Sequence, residues 1–159
     1  MTTSGELDTT DVQILRTLQH DARLTVKELS AKVNLSPTAV HGRIRRLERS
    51  GYIKGYTVIL DAEKLNYGFA VFCKVKLGHI NSEAAGRFSS AVSRMAEVTE
   101  CYNISGSYDY LLKIGVRSMA EYKDFVLNRL GTVDNISSIE SVFVMDEVKH
   151  CRGVRLPEI

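Results

Sequence analysis

The chain has 159 residues, of which 44% are hydrophobic and 25% are charged, a composition typical of a folded globular protein rather than a disordered one. No apolar run reaches the roughly 20 residues that a membrane-spanning helix needs, and the polar, acidic N-terminus does not resemble a secretory signal. The net charge of +2 says little about partners, and three widely spaced cysteines argue against a disulfide-held scaffold and fit a reducing cytoplasm.

Three segments in the first third of the chain begin with the same helix-start pattern. In each, an Asp, Thr or Ser precedes the first turn, where its side chain can accept a backbone hydrogen bond, and an apolar residue comes before that cap. Apolar residues then recur at helical spacing, which predicts helices near residues 9–20, 26–33 and 37–50. The second and third helices are separated by three residues, and so short a connection predicts a helix-turn-helix.

The third predicted helix has a buried side and a basic side. On a helical wheel Val40, Ile44 and Leu47 lie together, whereas Gly42 lies roughly opposite them among basic residues. Such a helix suits the major groove of DNA, because a residue without a side chain permits close approach and arginines reach phosphates or guanine edges. The predicted DNA-contacting residues are Ser36, Thr38, His41, Gly42, Arg45, Arg46, Arg49 and Lys54.

The basic face and its glycine also have plainer explanations. A basic helix face is usually only a solvated face, and Gly42 can simply allow two helices to pack closely. Nucleic-acid binding is favoured because the capped helix pair, the short turn and the one-sided charge coincide. After Gly51, a predicted helix C-cap, the alternation from Tyr52 to Leu60 predicts a short hairpin or wing, which completes a DNA-binding domain over residues 1–61.

The rest of the chain alternates strands and helices. Residues 62–68 are polar and end in a glycine, and we interpret them as a linker to a second domain, residues 69–159. The patterns there predict strands near 69–77, 98–104, 108–116 and 139–148, and helices near 82–95 and 118–130. This βαββαβ order is the ferredoxin-like arrangement, an antiparallel sheet with two helices on one face. A second copy of the chain is the simplest cover for the other face, and a homodimer also suits a palindromic DNA site.

Four stretches of sequence carry a resemblance to a known family: LDTTDVQIL, LSPTAVHGRIRRLERSGYIKGYT, SGSYDYLLK and VMDEVK. Through them the chain, from Leu7 to about Lys149, resembles the Lrp/AsnC (leucine-responsive/asparagine) transcription regulators. The resemblance implies an α+β protein with an N-terminal winged helix-turn-helix and a C-terminal ferredoxin-like, RAM-type domain. It also implies a cytoplasmic, nucleoid-associated regulator that binds double-stranded DNA sequence-specifically and assembles as homodimers, commonly four to an octamer, without any membrane partner.

In that family a small effector, commonly an amino acid, binds between dimers near the glycine turn after the second strand. The resemblance carries this effector site onto Asn103, Ser105, Gly106, Tyr108, Asp109, Met119, Val142 and Phe143. The chemistry of these residues suits an amino acid: Asp109 can pair with its ammonium, amides around Gly106 can hold its carboxylate, and Val142 and Phe143 can form an apolar wall. The Ser-Gly-Ser stretch is equally a good hairpin turn that Asp109 only caps, and some members of the family act without a ligand.

Other classes of function have weaker support. No GxSxG, glycine-rich phosphate loop or HExxH motif indicates an enzyme, and the adjacent His150 and Cys151 lack the second pair that a zinc site needs. We therefore expect no catalysis, no metal and no cofactor other than a possible amino-acid effector. The main alternative is an effector-independent architectural protein of the nucleoid, which would use the same basic helix but discriminate little between DNA sequences.

Overall fold

The computed structural model describes residues 6–150 and 153–158, and they divide into two units. The first unit comprises the chain up to Ile59 together with the C-terminal segment from Lys149, and the second is Leu60–Val148. The C-terminal segment was assigned to the second domain from sequence; here the amide nitrogen and carbonyl oxygen of Val154 bond the side-chain amide of Gln19 at 3.1 and 3.0 Å. Within the described ranges no helix is long and apolar enough to cross a membrane.

The helices of the first unit are α1 (Thr9–His20), α2 (Val26–Val33) and α3 (Pro37–Arg49). Their predicted bounds are confirmed, as are their caps: the side chains of Asp8, Thr25 and Ser36 each accept a hydrogen bond from the first turn. Asn34 ends α2 in the left-handed conformation, with φ of 54°, which gives the short turn into α3. The fully buried core of this unit consists of Ile14, Leu29, Val33, Val40 and Leu47.

The predicted hairpin after α3 is wrong, because residues 54–60 contain no strand. Ile53 packs against the core of the first unit, and the hydroxyl of Tyr56 donates to Glu48 at 3.0 Å. Val58 and Ile59, in contrast, are more than two-thirds exposed. Alternating apolar residues indicate an extended conformation, but a hairpin also needs a second strand to pair with, and the chain turns into the next unit before supplying one.

The second unit contains four strands, two helices and a short 3₁₀ turn. In chain order they are β1 (Phe69–Leu77), α4 (Ser82–Val92), β2 (Val98–Asn103), β3 (Tyr110–Val116), α5 (Met119–Asn128), the 3₁₀ turn Leu130–Thr132 and β4 (Ile136–Phe143). The strands form one antiparallel sheet in the order β2-β3-β1-β4. The predicted α+β class and ferredoxin-like arrangement are therefore confirmed.

The predicted bounds were least accurate at β4 and at the C-terminal end of α4, which ends at Val92. β4 begins and ends earlier than the alternation predicted, because Asn135 turns the chain at φ of 71° and Met145 beyond the strand is 96% exposed. Ser82 can serve as a helix cap from its residue type, but it is the first residue of α4, and the N-cap is Asn81, whose side chain accepts from the amide of Ala84 at 2.8 Å. The limits of β4 depend on pairing with β1, which is distant in the sequence and which the alternation pattern does not identify.

The two faces of the sheet differ in composition. One face packs under the helices, and its core includes Val71, Val75, Leu112, Phe88 and Phe125. The opposite side, called here the open face, contains no fully buried residue. Register places on it Phe72, Lys74, Lys76, Glu100, Tyr102, Leu111, Lys113, Ser138, Glu140 and Val142.

Candidate DNA-binding and effector sites

The outward side of α3 presents most of the predicted DNA-contacting residues together. Val40 and Leu47 are 0% and 1% exposed, and these two residues attach the helix to the core of the first unit. The opposite side is exposed and carries Thr38, His41, Gly42, Arg45 and Arg49; Lys54 is exposed in the segment that follows. Ser36 precedes the helix, where its hydroxyl oxygen accepts from Ala39 at 3.3 Å, so capping is an established role for this side chain.

Gly42 is not needed for packing inside the first unit. A Cβ atom added at this position would meet no atom of the described chain within 4 Å. The close-packing explanation therefore does not apply, and the glycine costs the isolated helix about 1 kcal/mol relative to alanine. What it provides is space on the outer surface of α3 for a molecule that approaches from outside.

Two arginines of α3 are directed towards the start of the first helix and form ion pairs there, with side chains that remain 29% and 43% exposed. Arg43 Nη1 donates to Asp8 Oδ2 at 2.6 Å and to Asp11 Oδ1 at 2.8 Å, and Arg46 Nη2 donates to Asp11 Oδ2. Asp11 is 0% exposed, although it is charged. Sequence reasoning placed Arg46 among the DNA contacts and gave Asp11 no role beyond the helix start. The available signal was spacing: two carboxylates three residues apart on one helix and two arginines three residues apart on another.

The protonation of Asp11 reflects its two arginine partners. Burial raises the pKa of the Asp11 carboxyl, but hydrogen bonds from Arg46 and Arg43 outweigh this effect, so the pKa lies below its usual value of 3.8. A carboxylate with a lowered folded-state pKa contributes stability above its unfolded pKa and loses it as pH falls through the folded value. The stability of the first unit should therefore depend on Asp11 in the acid range.

We expect the stability difference between wild type and Asp11→Asn to be constant near neutral pH and to shrink as pH falls through 3.8 and below. Urea unfolding at a series of pH values measures this difference directly. The matched control is Asp134→Asn, which makes the same chemical change at an exposed position of the second unit. A difference that stays equal across the whole acid range would show that Asp11 does not carry the expected charge.

The turn between β2 and β3 forms one part of the predicted effector site. Gly106 has φ of +125°, a conformation that favours glycine. The turn is closed by hydrogen bonds to the carbonyl oxygen of Asp109, from the amide of Ile104 and the side chain of Asn103, each at 2.9 Å. Within the described part of the chain, the amides of residues 105–107 donate no hydrogen bond. The turn therefore presents exposed N–H groups of the kind that hold a carboxylate.

The side chains beside this turn already have partners. Asp109 Oδ2 accepts from the amide of Leu77 at 2.7 Å, which secures the end of β1 and gives the carboxylate the capping role considered from sequence. The hydroxyl of Tyr108 donates to Glu140 at 2.8 Å, and Glu140 also pairs with Lys74 at 2.6 Å. Hydrogen bonds from Lys74 and Tyr108 hold the pKa of Glu140 below its usual value. Tyr108 is thus connected to the open face.

The other predicted effector residues lie at the opposite end of the sheet. Phe143 pairs with Val71, whereas the amide of Asp109 bonds the carbonyl of Val75, four residues further along β1. This separation is about 13 Å at the usual rise of a strand. Met119 begins α5, and its neighbour on that helix, Tyr122, has its ring 5.6 Å from that of Phe143. One chain therefore presents the two groups of residues apart.

Val142 and Phe143 do not form the expected common wall within one chain. They are adjacent on β4, so their side chains project to opposite faces of the sheet. Val142 lies on the open face opposite Phe72, whereas the Phe143 ring is near Phe69 on the helix side, at 6.0 Å between centroids. A single pocket containing all eight predicted residues requires more than one chain.

Known proteins match both units of the chain. Residues 7–54 match the family model for winged helix-turn-helix DNA-binding domains, and residues 70–154 match the model for the Lrp/AsnC ligand binding domain. The leucine-responsive regulatory protein of Klebsiella pneumoniae is 39% identical over 144 residues, which are 91% of this chain and 88% of that protein. Its counterpart of the same name in Escherichia coli K12 is 38% identical over the same shares.

Solved structures of similar proteins show the same fold. A transcriptional regulator from Neisseria meningitidis, solved as a complex with L-Met, has a TM-score of 0.89 at 34% identity and covers 94% of this chain and 97% of its own. An AsnC family transcriptional regulator from Agrobacterium tumefaciens has the same TM-score at 35% identity, with the same coverage. These relatives are transcriptional regulators, and they match this chain in both of its units. The chain therefore belongs to the Lrp/AsnC family of DNA-binding transcriptional regulators.

Proposed function

We propose that this regulator reads double-stranded DNA with the outward face of α3, and that an amino acid bound to its second unit modulates it. The observation that carries the proposal is the character of that face. Gly42 leaves open space at its centre, and Arg45 and Arg49 have no acidic partner among the described residues. A basic surface with a gap in its side chains fits the major groove, where arginine binds guanine edges.

The roles of the DNA-facing residues follow from their positions along α3. The N-terminal part of a recognition helix meets base edges, so Thr38, His41 and Arg45 are assigned to base readout. Arg49 and Lys54 lie further along and are assigned to phosphates, as is the hydroxyl hydrogen of Ser36, whose oxygen is already used in capping. Arg46 borders this surface but already pairs with Asp11.

A homodimer formed through the open faces is the proposed assembly. Phe72 and Leu111 lie in the middle of the open face, and the ion pairs Lys74–Glu140 and Lys113–Glu100 lie beside them. Pairing two such faces would remove apolar side chains from water while keeping each charge next to its partner. The two-fold symmetry of the dimer would match a palindromic operator. Four dimers assembling into an octamer is the arrangement proposed from the family resemblance.

The effector site is proposed to combine residues from two chains, because the two groups lie apart in one chain. One chain would contribute the turn, with Asn103, Ser105, Gly106, Tyr108 and Asp109. The other would contribute Met119, Val142 and Phe143. An α-amino acid fits this chemistry, since exposed turn amides can bind its carboxylate and Asp109 its ammonium. The L-Met complex of the Neisseria relative supports an amino acid as the ligand class.

The cellular setting of the proposal follows from its DNA partner. We place the protein in the cytoplasm, associated with the nucleoid, and propose no catalytic activity, no metal and no cofactor other than the effector. An effector-independent architectural protein would use the same α3 surface, but it would bind random and selected DNA with similar affinity.

The DNA-binding part of the proposal is tested by selecting sites from random duplexes and then changing Arg45. We expect an enriched palindromic motif, and we expect Arg45→Ala to weaken binding to it by about 1–3 kcal/mol while relaxing the preference at one base position. Arg94→Ala is the matched control, because it removes an exposed arginine from the second unit. Failure to enrich any motif would favour the architectural alternative, and an unchanged preference in Arg45→Ala would remove that residue from base readout.

A further inference from the structure

The ion-pair cluster between α1 and α3 is connected more extensively than a surface salt bridge. We call it the Asp11 cluster, comprising Asp8, Asp11, Arg43 and Arg46. Both Asp11 oxygens are bound, Oδ1 by Arg43 and Oδ2 by Arg46, and Oδ2 also accepts from the amide of Asp8 at 3.1 Å. The Asp8 carboxylate in turn accepts from the amide of Asp11 at 2.8 Å. The cluster therefore joins the capping box of α1 to the middle of α3.

The cluster divides the arginines of α3 into two classes. Arg43 and Arg46 face two carboxylates, which balance their charges, although the two arginine side chains remain 29% and 43% exposed. Arg45 and Arg49 face outward, and no acidic partner is found for them in the ranges that the structure describes. Arg45 and Arg46 are sequence neighbours, but a step of one residue turns about 100° around a helix, so their directions differ.

We propose that Asp11 is a positioning residue for DNA recognition, which keeps Arg43 and Arg46 paired with α1 so that Arg45 and Arg49 make the DNA contacts. The inference rests on the proposed function of α3 and specifies which of its arginines act on DNA. Asp11 thereby determines how α3 packs on α1. It also determines how many arginine side chains of α3 are available to bind DNA phosphates.

The physical basis is the difference between sequence-independent and sequence-specific binding. Each arginine that neutralises a phosphate strengthens binding to every DNA sequence and steepens the salt dependence of log K by roughly 0.9. A retained arginine adds no such term, so affinity for random DNA stays low. The attraction within an ion pair at a buried carboxylate is offset by the cost of desolvating the charges, so the pair adds little net stability. Such a pair can instead fix one arrangement of the side chains, here the direction of Arg43 and Arg46.

A matched pair of variants on α3 tests the division directly. Arg46→Met and Arg49→Met make the same change three residues apart on the same helix. The readout is the slope of log K against log salt for binding to a random-sequence duplex. We expect Arg49→Met to lower the magnitude of the slope by roughly 0.9 and Arg46→Met to leave it unchanged. Equal decreases in the two variants would overturn the proposal, because Arg46 would then contact phosphate.

Substitution of Asp11 itself should change the salt dependence in the opposite direction. Asp11→Asn releases Arg46, whereas Arg43 keeps its ion pair with Asp8 at 2.6 Å, so we expect tighter binding to random DNA and a slope steeper by roughly 0.9. Glu48→Gln is the control, since it removes an exposed carboxylate of α3 whose one side-chain hydrogen bond within the described ranges comes from Tyr56. A slope no steeper than that of the control would contradict the proposal.

A double variant separates retention from a general loss of structure. In the Asp11→Asn background, Arg46→Met should lower the magnitude of the slope of log K against log salt, although it has no effect in the wild-type background. This non-additivity is expected only if Asp11 keeps Arg46 away from the DNA. If Asp11→Asn does not fold, the comparison of Arg46→Met with Arg49→Met decides alone, because Arg43 still pairs with Asp11 there. Loss of all effect from Arg45→Ala and Arg49→Met would instead contradict the proposed function of α3, so the two failures are distinguishable.

Discussion

Phe72→Asp is expected to convert the protein to a monomer and to weaken its binding to a palindromic site by about 100-fold or more. Phe72 lies on the central strand β1, opposite Lys113 on one neighbouring strand and Val142 on the other. In a monomer the new carboxylate would stay hydrated beside Lys113, whereas burying it twice in a two-fold interface would carry a large desolvation cost. Separation of the two DNA-binding units then removes the avidity of paired half-sites, which is roughly 10²–10⁴-fold.

Sedimentation velocity and DNA titration measure the two parts of this prediction on the same sample. Circular dichroism of the variant should match wild type, since the change lies on the open face and not in the core under the helices. Leu127→Asp is the matched control: Leu127 is 60% exposed on α5, so it places the same charge on a helix. A Phe72→Asp protein that remains dimeric would show that the open face is not the dimer interface.

A thermal-shift panel against the twenty amino acids is expected to identify a stabilising ligand. A ligand that binds only the folded state adds about 2.7 kcal/mol at 100 times its dissociation constant. For a chain of this size, that gain corresponds to a rise in melting temperature of roughly 5–10 °C. No shift with any amino acid would favour a regulator that acts without such an effector.

Asp109→Asn locates the effector within this experiment. The asparagine oxygen can still accept from the amide of Leu77, as the carboxylate does at 2.7 Å, but it can no longer pair with an ammonium group. We expect the ligand-induced shift to disappear while the free protein keeps its melting temperature, and Asp134→Asn, with the same charge change on the same unit, to keep the shift. A full shift in Asp109→Asn would place the ammonium elsewhere.

Helix positions in the first unit were predictable because their determinants are local. Asp8, Thr25 and Ser36 cap turns that begin at the next residue, and Gly51 takes φ of 76° directly after α3. The succession of strands and helices along the second unit was equally predictable, because alternation and helical spacing are local patterns. The predicted hairpin after α3 and the predicted limits of β4 were wrong, since extended segments pair with distant residues and the alternation pattern does not identify the partner.

In the candidate sites, too, the features set by local sequence were predictable and those set by distant contacts were not. The outward stripe of α3 follows from helical periodicity, so its exposed residues were found from the sequence. The pairing of Arg46 with Asp11 spans 35 positions along the chain, and the wheel could not distinguish an arginine at the edge of the stripe from one turned inward. Val142 and Phe143 were assigned together from the family resemblance, although their adjacent positions on a strand send them to opposite faces.

By itself the sequence determined the α+β class, the helix-turn-helix, the basic outer face of α3 and the family to which the chain belongs. These features depend on caps, spacing and periodicity, which act over a few residues. Only the tertiary structure decided that Gly42 has open space around it, that Asp11 pairs with two arginines of α3 and that the predicted effector residues fall into two separate groups. Each of those facts concerns residues far apart in the chain, and only folding brings their atoms into contact or keeps them apart.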